Sequence, residues 1–249
     1  MVLRQFLHYE PAIAASYIVG CAGRGVAVVV DPVDDASTYQ RAASDLGMEI
    51  RYVIDTHLHA DHLSTGRALA ALAGAEYVLH ESAETGYAFR PVADGDALVA
   101  GNVSLGVMHL PGHTPEHVGL LVTDGTRGDR PWLVLTGHTL MVGDMGRTEL
   151  ATSAEEGARA LYQSARKLAA LPDDVLVLPG AFAGSVCGRG LSGTPMSTIG
   201  FERRANRAFR VVDEPAFVSL MLLDPPPRPP NAAELRRANA TGELAVSRV

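Results

Sequence analysis

The sequence is poor in cysteine, in lysine and in aromatic residues, and each shortage narrows the field. Two cysteines, Cys21 and Cys187, cannot build a disulfide framework. The expected setting is therefore a reducing cytoplasm. Lys167 is the only lysine, and 21 Lys+Arg against 28 Asp+Glu leave a net charge of −7. A chain this acidic lacks the basic face that phosphate backbones require, so nucleic acid is not an expected partner. No apolar run is long enough to span a bilayer, and MVLRQFLHYEP at the N-terminus has neither an apolar core nor a small-residue cleavage site. A membrane is not expected as a partner either. The 47% apolar content rules out a wholly disordered chain, and 249 residues suit one two-layered domain.

Periodicity separates strands from helices. Val26–Val30 is a β-branched run ended by Asp31-Pro32, and Glu49–Thr56 follows as a second strand. Further strands are expected at 77–80, 103–110, 118–122, 132–136 and 175–178. Helices are expected at 37–46, stopped by Gly47, and at 63–73, stopped by Gly74. A third, from Ser153 to Leu171, has a Ser153/Glu156 capping box and one apolar face through Ala158, Leu161, Ala165 and Leu168. Strands alternate with helices, then run consecutively, then alternate again, which fits mixed sheets covered by helices. The domain is expected to occupy residues 1–224. PPPRPP at 225–230 reads as a stiff extended segment, opening a proline-rich arm over 225–249 that packs on the surface.

What the chain has in abundance is histidine, and it is arranged. Eight of the nine histidines fall between His57 and His138. Thr56-His57-Leu58-His59-Ala60-Asp61-His62 places four metal-competent side chains directly after a strand. In extended backbone alternate side chains point the same way, so His57 and His59 can reach one ion. Pro111-Gly112-His113 and Thr136-Gly137-His138 each offer another imidazole just past a strand. Isolated histidines usually have no such role, and His8, His80 and His117 are read that way. The candidate ligands are His57, His59, His113 and His138. Asp61 and His62 are candidate catalytic groups.

THLHADH with the later PGHTP and TGH resembles the metallo-β-lactamase superfamily. DPV at Asp31, HESAETGYAF at His80, PGHTPEHVG at Pro111 and GDMGRTEL at Gly143 look like its persulfide dioxygenase and glyoxalase II subgroup. GRTEL, SVCGRGLSG at Ser185 and STIGFERR at Ser197 point to the dioxygenase branch. The resemblance implies an αββα sandwich with the site at one edge of two sheets. It implies one Fe(II) per chain, held at His57, His113 and His138, and a small-molecule thiol persulfide oxidised to sulfite. His59 and Asp61 then orient the ligands, while Arg147 and Thr148 fall in the segment that contacts the thiol carrier, Arg147 through its planar fork.

Two departures from the family pattern matter. His138 stands where the family has a ligand aspartate, and Ala181 where it has a histidine. A neutral imidazole has one metal-directed lone pair and bridges poorly, and alanine offers none, so a dinuclear site is not expected. Imidazole for carboxylate also makes the metal unit more positive by one charge and weakens selection for iron over Zn(II). Two alternatives therefore stay open. One is a zinc hydrolase of a thioester or related acyl substrate, with Asp61 accepting a proton from a metal-bound water of pKa about 7. The other is a non-catalytic family member. A homodimer is compatible with the sequence but not read from it.

Overall fold

The computed structural model describes residues 1–229 and 231–243. The β-branched run and its followers pair into a six-stranded sheet: β1 (Val2–His8), β2 (Ala14–Cys21), β3 (Val26–Val30), β4 (Glu49–Ile54), β5 (Glu76–His80) and β6 (Arg90–Val92), in that spatial order. The first three strands pair antiparallel and the last four parallel. A second six-stranded sheet runs β12-β11-β10-β9-β8-β7. It is built from β7 (Ala97–Ala100), β8 (Val103–His109), β9 (Val118–Asp124), β10 (Leu133–Gly137), β11 (Leu176–Pro179) and β12 (Ser197–Thr198).

The sheets pack face to face. Tyr17, Val19, Val28, Val30 and Ile54 of the first meet Leu105, Val107, Leu120 and Leu135 of the second. The outer faces are covered as well. Helices α1 (Ala36–Ser44) and α2 (Gly66–Ala73) bury Tyr39 and Leu69 against Val29 and Val53. Helix α3 (Ala154–Ala169) and α5 (Glu214–Leu222) bury Leu161, Leu168 and Phe217 against Val134 and Val177. Burial on both faces explains why β3 and β10 read as continuous apolar runs rather than alternating ones. The architecture is the expected αββα sandwich.

Several elements differ from the sequence reading. β1, β2, β6, β7, β12, α4 (Ile199–Ala205), α5 and α6 (Ala232–Thr241) carried no clear periodic signal. α2 starts at Gly66 rather than Leu63, because residues 57–65 are held as a loop. α3 is capped as expected, Ser153 accepting from the Glu156 amide. Gly112 (φ +139) lets α3 press on the loop that carries His113, since a Cβ there would meet the Leu161 backbone at 2.5 Å. Among the described residues, no helix is long and apolar enough to cross a membrane.

The stretch expected as a surface arm is partly something else. Residues 225–229 are irregular, but α6 docks beside the histidine loop. Pro230 and residues 244–249 of that arm lie outside the described residues. Arg236 of α6 pairs with Glu116 through two bonds, 3.0 and 3.1 Å, and Glu116 in turn accepts from the Leu58 amide at 2.9 Å. Glu116 is only 3% exposed. Burial favours its neutral form, but the hydrogen bonds and charge of Arg236 outweigh that and hold its pKa below the usual glutamate value.

A carboxylate with a depressed folded-state pKa adds stability above its unfolded pKa, and that stability is lost as the pH falls through the folded value. Glu116→Gln should therefore cost about 2–3 kcal/mol at pH 7, less than for a fully buried pair because Arg236 is partly exposed. In urea unfolding the gap to wild type should begin to narrow as the pH falls below the ordinary glutamate pKa of about 4.3, and close as it passes through the lower folded-state value. A gap that stays constant on acidification contradicts this.

Candidate metal centre

Three strand ends deliver the histidines to one edge of the sandwich. His57, His59, Asp61 and His62 follow β4, His113 lies between β8 and β9, and His138 follows β10. The side-chain donor atoms of His57, His113 and His138 all lie within 4.8 Å of one another. Ring centroids are 4.9 Å apart for His57 and His113, 4.8 Å for His57 and His138, and 5.1 Å for His113 and His138. His59, Asp61 and His62 form an adjoining group of the same compactness, and His57 and His59 have ring centroids 4.2 Å apart. A third such group joins Asp61, His138 and Cys187. His8, His80 and His109 belong to none of these groups.

One buried carboxylate fixes how two of the imidazoles face. Asp31, at the end of β3 with φ +50, accepts from the Thr56 amide at 2.6 Å and the Thr56 hydroxyl at 2.9 Å. Thr56 Oγ1 has one hydrogen, and it is spent on Asp31. Its lone pair can then accept from His57 Nδ1, 3.0 Å away, which leaves the His57 Nε2 lone pair free. His59 Nε2 donates to Asp31 directly at 3.2 Å, turning Nδ1 toward the cluster. His113 Nδ1 donates to the Arg147 carbonyl at 2.8 Å, which aims Nε2 inward, 3.4 Å from His138 Nδ1. This is the outer-shell arrangement that metal-binding histidines need.

Among the described residues, His57 Nε2, His59 Nδ1, Asp61 Oδ2, His62 Nε2 and His138 Nε2 are buried without a hydrogen-bond partner. Five orphans on one small patch would each cost about 1–3 kcal/mol if nothing met them. Imidazole nitrogens and a carboxylate oxygen converging this way fit a divalent metal.

Electrostatics favours neutral ligands. Burial, with the neighbouring histidines, holds the His57 pKa well below its ordinary value and takes His113 down to about 3. His138 is lowered by the same burial. His59 goes the other way: burial pushes it down, but the hydrogen bond and charge of Asp31, and then Asp61, raise it well above the ordinary value. Burial likewise works against the Asp61 carboxylate, yet the adjoining His62 and His138 rings and the hydrogen bonds of His59 and His62 hold its pKa well below the ordinary value.

His117 proves structural in a way the sequence does not reveal. Its Nε2 accepts from the His138 amide at 3.1 Å, and its Nδ1 meets the Thr139 hydroxyl at 3.0 Å. It braces the His138 backbone. Gly137 (φ +50) makes that contact possible, because a Cβ would lie 2.6 Å from both His117 Nε2 and Thr56 Oγ1. Ala181 is fully buried and adds no donor.

Arg147 and Thr148 are not brought to the open side of the cluster. All five guanidinium donors of Arg147 are engaged, by Glu149 and by the carbonyls of Val186, Pro226 and Pro227. Arg147 thus serves the site through its carbonyl on His113 and through the loops it ties down. The Thr148 hydroxyl donates to the Ala154 carbonyl at 3.0 Å. Cys187 is both buried and close to the centre, and burial raises its thiol pKa well above the ordinary value.

Residues 9–180 match the family model for the metallo-beta-lactamase superfamily. The chain is 29% identical over 225 residues to the mitochondrial persulfide dioxygenase ETHE1 of Homo sapiens, covering 89% of this chain and 80% of that protein. It is 34% identical over 169 residues to a hydroxyacylglutathione hydrolase of Polaromonas, covering 66% of this chain and 60% of that one. The crystal structure of a metallo-beta-lactamase from Staphylococcus aureus superimposes with a TM-score of 0.90 at 33% identity, over 98% of this chain and 73% of the other. With the matched family model, the two-sheet architecture and the strand-end histidines in agreement, the chain belongs to the metallo-beta-lactamase superfamily.

Proposed function

We propose that this chain is a mononuclear metalloenzyme that oxidises the terminal sulfur of a low-molecular-weight thiol persulfide. The supporting observation is the compact trio of His57, His113 and His138, whose donor atoms fit a single ion. The similarity to persulfide dioxygenase over 89% of the chain supports the reaction class. In that reaction a persulfide, O2 and water give the free thiol, sulfite and two protons. Fe(II) bound at the three histidines would supply the site for O2 and for the persulfide sulfur.

The chain's own residues then have definite tasks. A cavity of about 340 Å³ opens onto Asp61, walled by Tyr9, Ile13, Val186 and Leu235 with Ser185 and Asn231. Its apolar walls can pack against one side of a carrier molecule. Asp61 Oδ2, 4.0 Å from His138 Nε2, is the ionised group placed to hold a proton released at the centre. The neutral trio carries no anionic ligand of its own, which favours an anionic sulfur.

Zinc-dependent hydrolysis of a thioester is the second reading. The 34% identity to a hydroxyacylglutathione hydrolase and the all-histidine trio favour it. Under it, Asp61 takes a proton from water rather than from a persulfide. Ala181 and His138 argue against a two-metal version of that chemistry.

His138 separates these readings. Wild type, His138→Asp and His138→Ala should be loaded anaerobically with Fe(II) and assayed for O2 uptake with glutathione persulfide. The proposal predicts uptake by wild type, retained or raised uptake in His138→Asp, and loss of metal in His138→Ala. Thioester hydrolysis by the zinc form without O2 uptake by the iron form would establish the hydrolase reading instead.

Asp31 gives a test independent of the substrate. Asp31→Asn should weaken metal binding about 10–100-fold, because it loses the charge that orients His59 and, through Thr56, His57. Chelator competition measures this, and unchanged affinity contradicts the assigned role of Asp31.

A further inference from the structure

The loop that carries His57, His59, Asp61 and His62 has little backbone structure of its own. Residues 57–64 belong to no helix or strand. Among the described residues, no backbone–backbone hydrogen bond reaches them; the nearest are Val118 to Thr56 and Thr65 to Pro32. Buried backbone polar groups need partners, so those that are buried here fall to side chains or ordered water.

Five of them are met from α6 and its partner Glu116. Asn239 Nδ2 donates to the carbonyls of His59 and His62, both at 2.8 Å. Asn239 Oδ1 accepts from the Ser64 amide at 3.0 Å. One turn earlier, Arg236 donates to the Leu58 carbonyl at 2.8 Å, while Glu116, bound to the same guanidinium, accepts from the Leu58 amide. Positions 236 and 239 are three apart and so share a helix face. α6 is itself moored: Tyr87 donates to the Asn239 carbonyl at 2.6 Å, and the Gly86 amide to the Ala240 carbonyl at 2.8 Å. A single carboxamide therefore fixes the separation of His59 from His62, with the Asp61 carboxylate between them.

We infer that Asn239, backed by Arg236, is a positioning residue for the metal centre: α6 supplies the hydrogen bonds that hold the His57–Ser64 loop in its metal-binding shape. The inference requires that the histidines hold a divalent metal, and it stands under either the oxidation or the hydrolysis reading. Its failure would show in metal affinity, whereas failure of the oxidation reading would show only in O2 uptake. α6 also contributes Leu235, with Asn231 just before it, to the cavity wall over Asp61. One helix thus borders both the substrate cavity and the metal loop.

The test uses the whole chain with Zn(II) and Co(II) as probes. Asn239→Ala removes all three loop bonds. Asn239→Asp keeps the shape and the acceptor for Ser64 but loses both donors, so it serves if Asn239→Ala does not fold. Arg237→Ala is the control, since Arg237 lies on the exposed side and pairs with Glu243 at 2.8 Å. Both Asn239 variants should bind Zn(II) about 10-fold more weakly in chelator competition. Both should also shift the visible spectrum of the Co(II) form, while the metal-free protein, though less stable than wild type, still unfolds in one cooperative transition. Arg237→Ala should change neither the affinity nor the spectrum. Wild-type affinity and spectrum in the Asn239 variants overturn the inference. An equal loss in Arg237→Ala also overturns it, because the effect would then belong to the helix rather than to the carboxamide.

Discussion

The carboxylate of Asp31 is the interaction on which the candidate centre depends. It lies where β3 ends, and the parallel pairing of β3 with β4 brings it within hydrogen-bond reach of Thr56. From there it orders the chemistry outward: the Thr56 hydroxyl points to Asp31, His57 points to Thr56, and His59 points to Asp31 itself. Burial works against the charge on Asp31, yet its hydrogen bonds to His59 and Thr56 hold its pKa below the usual value. The residue stays ionised and keeps two imidazoles in the orientation a metal requires. Asp31 also adopts φ +50, a conformation aspartate tolerates better than most residues.

The rest of the site follows a division of labour. The sheets bring three strand ends to one edge, and loops carry the candidate ligands, as rigid scaffolds commonly arrange. Rigidity is then restored at each loop by a different device. His117 and Gly137 brace His138, the Arg147 carbonyl orients His113, and α6 holds the loop that bears His57. Arg147 shows how a side chain suited to substrate carboxylates can be committed instead to structure. With its donors all engaged, the cavity over Asp61 is left with aromatic, aliphatic and amide walls and the carboxylates of Asp61 and Glu10.

Most of the sandwich was legible in the sequence because its central strands are buried on both faces and its best helix carries a cap. Val26–Val30 and Ser153–Leu171 illustrate both signals. The edges were not legible: β1 alternates only weakly, and β7 and β12 are four and two residues long. The histidines could be found because HxHxDH is dense and follows a strand. Asp31, Glu116 and Asn239 could not be assigned from residue type alone, since their partners lie 25, 58 and up to 180 positions away. The same long range hid the role of α6, which from composition read as part of a proline-rich arm.

We propose that one metal ion, held by His57, His113 and His138, serves each chain. Titrating metal-free protein with Fe(II) under anaerobic conditions, followed by gel filtration and elemental analysis, measures this directly. Saturation at one tightly bound ion per chain is expected. Two tightly bound ions per chain would contradict it, because Ala181 and His138 leave no bridging ligand set for a second.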